Sequence, residues 1–383
     1  MKITLKNSQD TVELIQAMAS KDALVRMEAR QAFAEFMGKI MGEAMNQAAT
    51  IGNIYSTLSY RGDTSPSIPL DLYSDITDVG YLNVWSQHKA GGLGTNEVRP
   101  TQQEMYVDTY NVNSAISFDK KHAQNSRLDV ISKSMTRLMQ EILFIQDNQA
   151  IGPVMNAVAA ASTNGQAHIF RTAVASRFLI SDLSNLLTRF KRINTSWIKG
   201  TAAGNVGKPT DILFSPEAAE ELRSMAYNAI NTKTAPQTSA IKDSVAAPES
   251  IRAQMFDSTG VPSFFGISFL EYNEFGVGQR FNTVFDVAAA STAYTDYAGG
   301  NSAVFDGAAS QLMLAVDRSR DAILRLVETD AETGSEFTLT PDNQFEVYNR
   351  TGKMGFFGGM NEGRLILDNR SLGGLVLWSS WKI

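Results

Sequence analysis

Five stretches of differing apolar and polar pattern succeed one another along the chain. From residue 9 to 50 the period is helical. Val12, Ile15 and Met18-Ala19 keep a three-to-four spacing, Ser20 with Asp22 offers a fresh N-cap, and Leu24, Met27, Phe33, Phe36-Met37, Ile40-Met41 and Ala44 continue the stripe. Charges of both signs, from Lys21 to Glu43, alternate on the opposite face. A composition shift between Ser59 and Pro69, with Gly62 and Pro66 inside it, separates this helical segment from the rest of the chain. That break favours an N-terminal arm packed on another subunit or a scaffold over a helix packed on its own core.

Residues 78 to 118 then read as a long β-hairpin: Tyr81 to His88 is strand-like, Ala90 to Thr95 is a glycine-rich tip, and Glu104 to Phe118 is rich in β-formers. A two-stranded hairpin is marginal alone in water, so this one must lie on something else. From about Lys120 to Gln149 the helical period returns. Leu128, Ile131, Met135, Leu138, Ile142 and Ile145 step by three and four until Gly152-Pro153 stops or kinks the helix. Roughly thirty residues make a rod of about 45 Å, the length of a spine.

Between 165 and 330 the pattern is mixed α/β. Ser181-Asp182 caps a helix carrying Leu183, Leu186-Leu187 and Phe190. Asp211 to Phe214 is a short buried strand that turns through Ser215, an N-cap, and Pro216, a first helical position, into another helix. Residues 228 to 250 are Ala/Thr/Ser-rich and read as a mobile loop. Phe264 to Leu270 and Gln311 to Val316 are further buried strands. The last stretch holds strand-like runs, Phe345 to Tyr348 and Gly363 to Asp368, broken by Gly352, Gly355, Gly358-Gly359 and Gly363.

At 383 residues, 43% hydrophobic and 19% charged, the chain has room for two or three domains with a sizeable core. Its net charge of −6 speaks against a basic face that grips nucleic acid. It contains no cysteine, which excludes disulfides, thiolate metal sites and cysteine nucleophiles. No run approaches the roughly 20 apolar residues of a membrane span, and the segment from Met1 to Asn7 lacks a signal-peptide apolar core. Synthesis in a cytosol is the expectation.

No catalytic, cofactor or metal site assembles from the sequence. The three histidines, His88, His122 and His168, are scattered, and no spaced His/Asp/Glu cluster accompanies them. The tip Gly91 to Gly94 sits between strands and lacks the third glycine of a dinucleotide fingerprint. Gly204 to Pro209 has the wrong spacing for a P-loop and Pro209 where a magnesium-holding Ser or Thr belongs. Ser-x-x-Lys at Ser117/Lys120, Ser196/Lys199 and Ser239/Lys242 has no companion motif. No enzyme activity is expected.

The order of these parts resembles a major capsid protein of tailed double-stranded DNA bacteriophages, with the Hong Kong 97-like fold. Local pieces carry the likeness: Asp211 to Glu217 with its Ser-Pro turn, Phe265-Gly266-Ile267-Ser268-Phe269, Ala315 to Arg318 followed by Ile323 to Val327 as returning strands of the axial domain, and Gly363 to Asp368 as a closing strand. The resemblance implies an α+β fold with an N-terminal helical arm (1–74), an extended β-hairpin loop (75–118), a peripheral domain with a spine helix (119–164), an axial α/β domain (165–334) and a return to the peripheral sheet (335–383). It implies self-assembly into hexamers and pentamers of an icosahedral virion shell around double-stranded DNA held without sequence specificity. A portal, a scaffold or maturation protease and a decoration protein are the implied partners, and no membrane takes part. Tyr81, Trp85, Lys89, Tyr106 and Tyr110 of the loop are the expected inter-subunit contacts, with a hydrophobic face on the subunit's own body as the alternative. Some members of the family cross-link a loop lysine to a neighbour's asparagine. Lys89 with Asn349, Asn361 or Asn369 is the matching set here, although non-covalent locking is the better expectation. The alternatives are an encapsulin-type cargo shell on the same fold, against which the helical arm weighs, a soluble α/β enzyme with an unrecognised site, and a tail-tube or sheath subunit.

Overall fold

The computed structural model describes residues 3, 5, 8–48, 50–62, 66–69, 104–163, 166–173, 178–194, 208–224, 266–289, 294–295, 302–303, 305–330, 334–342 and 352–378. In chain order the elements are α1 (Gln9–Ala17), α2 (Ala23–Asn46), β1 (Ser56–Arg61), β2 (Ser67–Pro69), β3 (Glu104–Tyr106), β4 (Tyr110–Asp119), α3 (Lys120–Gln124), α4 (Leu128–Ala160), β5 (Ser162–Thr163), β6 (Gln166–Ala167), β7 (Ile169–Arg171) and α5 (Ile180–Asn194). There follow β8 (Asp211–Phe214), α6 (Pro216–Ser224), β9 (Ser268–Glu271), α7 (Arg280–Ala289), β10 (Tyr294–Thr295), β11 (Ser302–Ala303), β12 (Gln311–Val316), β13 (Ile323–Thr329), β14 (Thr338–Pro341), β15 (Lys353–Ile366) and β16 (Leu372–Leu377). The chain divides into two compact units, one of residues 1–68, 105–150 and 324–365, the other of 69–104, 151–323 and 366–383.

The first unit is built on a five-stranded sheet in the order β1-β13-β15-β14, with β4 also paired to β15. β1 runs parallel to β13, while β4 and β14 run antiparallel to β15. α2 packs on this sheet. Phe33, Met37, Met41 and Met45 join Phe337, Leu339, Phe356 and Met360 in one core, with the Phe33 and Phe356 rings 5.4 Å apart. Phe33, Met37 and Met41 of the helical stripe thus face the chain's own core, while Leu24, Met27 and Phe36 of the same stripe stay exposed. β1, which runs into the start of the break at Ser59–Pro69, joins the same unit through β13, a partner far along the chain. Asp22 caps α2 by accepting from the Leu24 amide, as its position predicts.

The spine is two helices. Asn125 ends α3, Ser126 takes a left-handed φ of 48°, and α4 starts at Leu128, where the apolar stripe begins. α4 then runs 33 residues, about 50 Å, straight through Gly152-Pro153. A mid-helix proline costs about 3 kcal/mol, but Ile151, Val154, Met155 and Val158 around it are all fully buried, each side chain contributing about 1.5–3 kcal/mol. Burial wins over the local breaker.

The glycine-punctuated C-terminal region is likewise continuous: β15 passes through Gly355, Gly358, Gly359 and Gly363 for 14 residues without interruption. Gly358 is required by a close approach, since a Cβ there would run into the Phe337 ring. The run Phe345–Tyr348 lies outside the described residues.

The second unit holds a sheet in the order β7-β16-β12-β8-β9, together with the short ladders β5–β6 and β10–β11. β12 and β16 are buried along their whole length, as central strands are. α5 contributes Leu183, Leu186 and Phe190, and α6 contributes Ala218, Ala219 and Leu222, to a core with Phe170, Phe214, Met313 and Leu375. The Ser215 hydroxyl caps α6 by accepting from the Ala218 amide at 3.2 Å, with Pro216 at the first helical position.

Strands from residues 165–334 and from residues 335–383 enter both sheets. β13 belongs to the first unit's sheet beside β1, and β16 belongs to the second unit's sheet between β7 and β12. An apolar run such as Ile323–Val327 fits any buried strand, so its local pattern does not reveal which sheet holds it.

The notch at Gly358 gives a direct test of this packing. Gly358→Val should destabilise the protein by about 1–3 kcal/mol through overpacking, and a second change, Phe337→Ala, should recover part of that loss in urea unfolding.

Candidate functional site

Among the described residues, no group of three or more His, Cys, Asp or Glu side chains is placed to hold a metal ion. His168 is buried, which lowers its basicity, and its Nδ1 lies 3.1 Å from the carbonyl oxygens of both Asn369 and Leu372. That is a structural histidine joining β7 to the turn before β16. Ser117 sits in β4 opposite Gly355, and Lys120 opens α3. The other two Ser-x-x-Lys pairs, His88 and residues 204–207 lie outside the described residues. A shallow depression lined by Leu5, Val12, Gln16, Gln124, Leu128 and Asp129 holds a single carboxylate. No helix among the described residues is long and apolar enough to cross a membrane.

Of the expected loop contacts, Tyr81, Trp85 and Lys89 lie outside the described residues, as does Asn349. Tyr106 ends β3 with its side chain 68% exposed. Tyr110 is different: it is half-buried, and its hydroxyl donates to Glu362 at 3.0 Å, so it is engaged on the subunit's own body. Asn361 donates to Glu328 at 3.0 Å, and Asn369 offers its carbonyl to His168.

The Tyr110 contact leads to the most charged place inside the first unit. Successive inward positions of β15 are Met354, Phe356, Gly358 and Met360, and the same alternation then delivers Glu362 and Arg364. Glu362 has no exposed surface. Its carboxylate accepts from Arg325 Nε at 2.8 Å, from Arg364 Nη2 at 3.1 and 3.3 Å, from Tyr110 at 3.0 Å and from Gln146 Nε2 of α4 at 3.3 Å. Arg364 also donates through Nε to the Tyr110 hydroxyl at 3.3 Å and lies 4.9 Å from the centre of the Tyr55 ring. Tyr55 in turn donates to the Ala150 carbonyl at 2.6 Å. Arg325 reaches Glu336 at 3.5 Å.

These neighbours set the protonation states. Burial pushes the Glu362 carboxyl up, but Arg364 and Arg325 outweigh it and hold it below the usual carboxylate range. Burial and the Glu362 charge push the Tyr110 phenol up to about 12, and burial likewise raises Tyr55. Burial disfavours the Arg364 charge, yet Glu362 more than restores it. Glu362 and Arg364 are therefore ionised at neutral pH, with both tyrosines as neutral donors. It ties β4, β13, β15, α4 and the turn at Tyr55 to one carboxylate. Sequence reasoning missed it; the signal was there in Glu362-x-Arg364 at the inward parity of a strand that is otherwise apolar on that side.

The outside of the first unit carries a second feature. On α2, Leu24, Val25 and Met27 in the first turns and Phe36 farther along are 62%, 43%, 54% and 56% exposed, although Phe33, Met37 and Met41 of the same helix are fully buried. Phe144 and Ile145 of α4 are exposed as well.

No protein-family model matches the chain, and no curated relative does. Several solved structures are similar. The capsid of an empty GTA particle is 12% identical with a TM-score of 0.46, covering 86% of this chain and 90% of that one. The capsid of the cyanophage P-SCSP1u is 13% identical with a TM-score of 0.42, covering 87% and 89%. The SrpI encapsulin of Synechococcus elongatus PCC 7942 is 12% identical with a TM-score of 0.36, covering 73% and 78%.

The Glu362 cluster makes a pH-dependent contribution of definite sign. Its folded value lies below the unfolded one, so the stabilisation is complete above the ordinary Glu value of about 4.3 and is lost as pH falls through the folded value. The urea midpoint of the wild type should drop more steeply below that value than the midpoint of Glu362→Gln, the difference isolating this group from Asp368, which is also depressed. At neutral pH, Glu362→Ala should cost about 3–5 kcal/mol, because among the described residues it removes the only carboxylate that Arg364 contacts and leaves Arg325 with Glu336 alone.

Proposed function

We propose that this chain is a shell-forming structural subunit: a major capsid protein of a tailed double-stranded DNA bacteriophage with a Hong Kong 97-like fold, acting by self-association. The observation that carries this reading is the exposed apolar surface of α2. Leu24, Val25 and Met27 in its first turns and Phe36 farther along stay in water although the helix already packs on its own sheet, and large apolar side chains left in this way call for a partner that covers them. The order of parts along the sequence names the kind of partner, further copies of the same chain. The N-terminal helices then serve twice, closing their own core and facing a neighbour or a scaffold.

In this reading the loop of residues 75–118 reaches across to an adjacent subunit. Tyr81, Trp85, Lys89 and the exposed ring of Tyr106 are its contacts, while Tyr110 anchors the loop's returning strand at home. Subunits associate in hexamers and pentamers around packaged double-stranded DNA, helped in assembly by a portal, a scaffold or maturation protease, and in some shells a decoration protein. Each contact buries flat apolar area at about 25 cal/mol per Å² before the cost of association. Repetition, more than any single contact, stabilises the closed particle. The role is structural and needs no cofactor.

Purified full-length protein, without a tag, should give rings or closed particles in negative-stain electron microscopy and fast-sedimenting species in the ultracentrifuge. Tyr106→Asp should shift that population toward small oligomers. A monomer or dimer that persists at high concentration, with crowding agents and with a scaffold partner supplied, would sink the reading. Particle contents decide between the two shells that share this fold: DNA for a virion, an enclosed enzyme for a cargo compartment.

A further inference from the structure

The inward row of β15 is ambiguous about its own alignment. Met354, Phe356, Gly358 and Met360 lie opposite Phe118, Ile116, Ser114 and Val112 of β4. A slip by one residue would turn the whole row outward, which burial forbids. A slip by two residues keeps every side chain on its face and again sets apolar or small residues against one another. Shape resists a slip on the outward face at one point only, where Gly359 leaves room for the Asn113 side chain that a two-residue slip would set against Phe357 or Asn361. The remaining outward positions of β4 are the short side chains of Asn111, Ala115 and Ser117, and on the inward row the Gly358 notch holds β15 against Phe337, next to β14, and not against β4.

Tyr110 is where the native alignment and its two-residue neighbours differ most. In the native alignment it lies opposite Glu362, and its hydroxyl donates to that carboxylate at 3.0 Å while accepting from Arg364 Nε at 3.3 Å. Shifted by two in either direction, Tyr110 would lie opposite Met360 or Arg364, and the hydroxyl would leave a fully buried carboxylate one donor short. We infer that Tyr110, Glu362 and Arg364 form a register lock for the β4–β15 pair. The polar cluster is placed at the end of the row because that is where one hydroxyl can report the alignment of the whole strand. This role is independent of the shell reading and stands or falls without it.

The absence of cysteine makes the test direct. Phe357→Cys is combined in turn with Ala115→Cys, its native partner, and with Asn113→Cys or Ser117→Cys, the partners in the two slipped alignments. Each pair is oxidised with glutathione disulfide in full-length protein, and the cross-link is quantified by mass spectrometry, with Tyr110 intact and with Tyr110→Phe. With Tyr110 intact, only the native pair should close readily. In Tyr110→Phe the slipped pairs should close about tenfold faster relative to the native pair, the scale of one hydrogen bond to a charged group. An unchanged ratio overturns the inference. If Tyr110→Phe loses its helical and strand signal in circular dichroism, the same ratio is read in Glu362→Gln, which keeps the side-chain shape, and an unchanged ratio there overturns it equally.

Discussion

Six alternate residues of β15, from Met354 to Arg364, project into the first unit, and the last two carry charge into a place where water does not reach. Much of that unit's design depends on this. A carboxylate with no exposed surface is tolerable only when donors surround it, and the groups around it come from five separate parts of the chain: Tyr110 of β4, Arg325 of β13, Arg364 of β15 itself, Gln146 of α4, and the Tyr55 ring behind Arg364. Removing any donor leaves the buried carboxylate with fewer partners, and removing the carboxylate takes the shared partner from all of them, which is how such a cluster holds its elements in one arrangement. The apolar remainder of the same row is more forgiving. Methionines dominate there, and they fill irregular space between Phe33, Phe118 and Phe356 with little demand on geometry.

The second unit solves its packing differently. Its two central strands, β12 and β16, are buried at every position, and helices α5 and α6 contribute leucine, alanine and phenylalanine to the same core. Its carboxylates are buried one at a time, with Arg318 forking onto Asp211 at 2.7 and 3.1 Å and Asp182 accepting from the Ala173 and Leu179 amides at 3.1 and 3.0 Å. One unit thus satisfies its buried charges singly with a nearby partner; the other gathers several elements around one carboxylate and makes it part of the architecture.

Local chemistry was legible where it decides the structure. Asp22 and Ser215 cap helices where their spacing places them, Pro216 opens α6, and Asp211–Phe214 and Gln311–Val316 are strands. What local pattern could not convey was the effect of distant residues. Pro153 reads as a stop, and only the burial of Val154, Met155 and Val158 carries the helix past it. Gly358 reads as a break until Phe337 is seen resting against it. β13 reads as an ordinary buried strand whose sheet is fixed by β1. Tyr110 reads as a surface aromatic on a loop, and its assignment changes once Glu362 stands opposite. In each case the deciding partner is out of reach of local periodicity, which reports only the spacing of neighbours.

The pairing of β1 with β13 also has a meaning for synthesis. The hydrogen bond from Thr329 to the Tyr60 carbonyl joins residues 269 apart, and in the second unit Trp378 donates to Thr172 across 206. Neither sheet can close until its late strand, β13 or β16, has been made. Until then α2 exposes the apolar face that will later cover β14, along with the outer residues that stay exposed. Non-local closure of this kind is slow, and unfinished chains with open strand edges tend to stick to one another. Until those late strands arrive, the early apolar segments have only one another to pack against, so the order of synthesis runs opposite to the order in which the sheets can be completed.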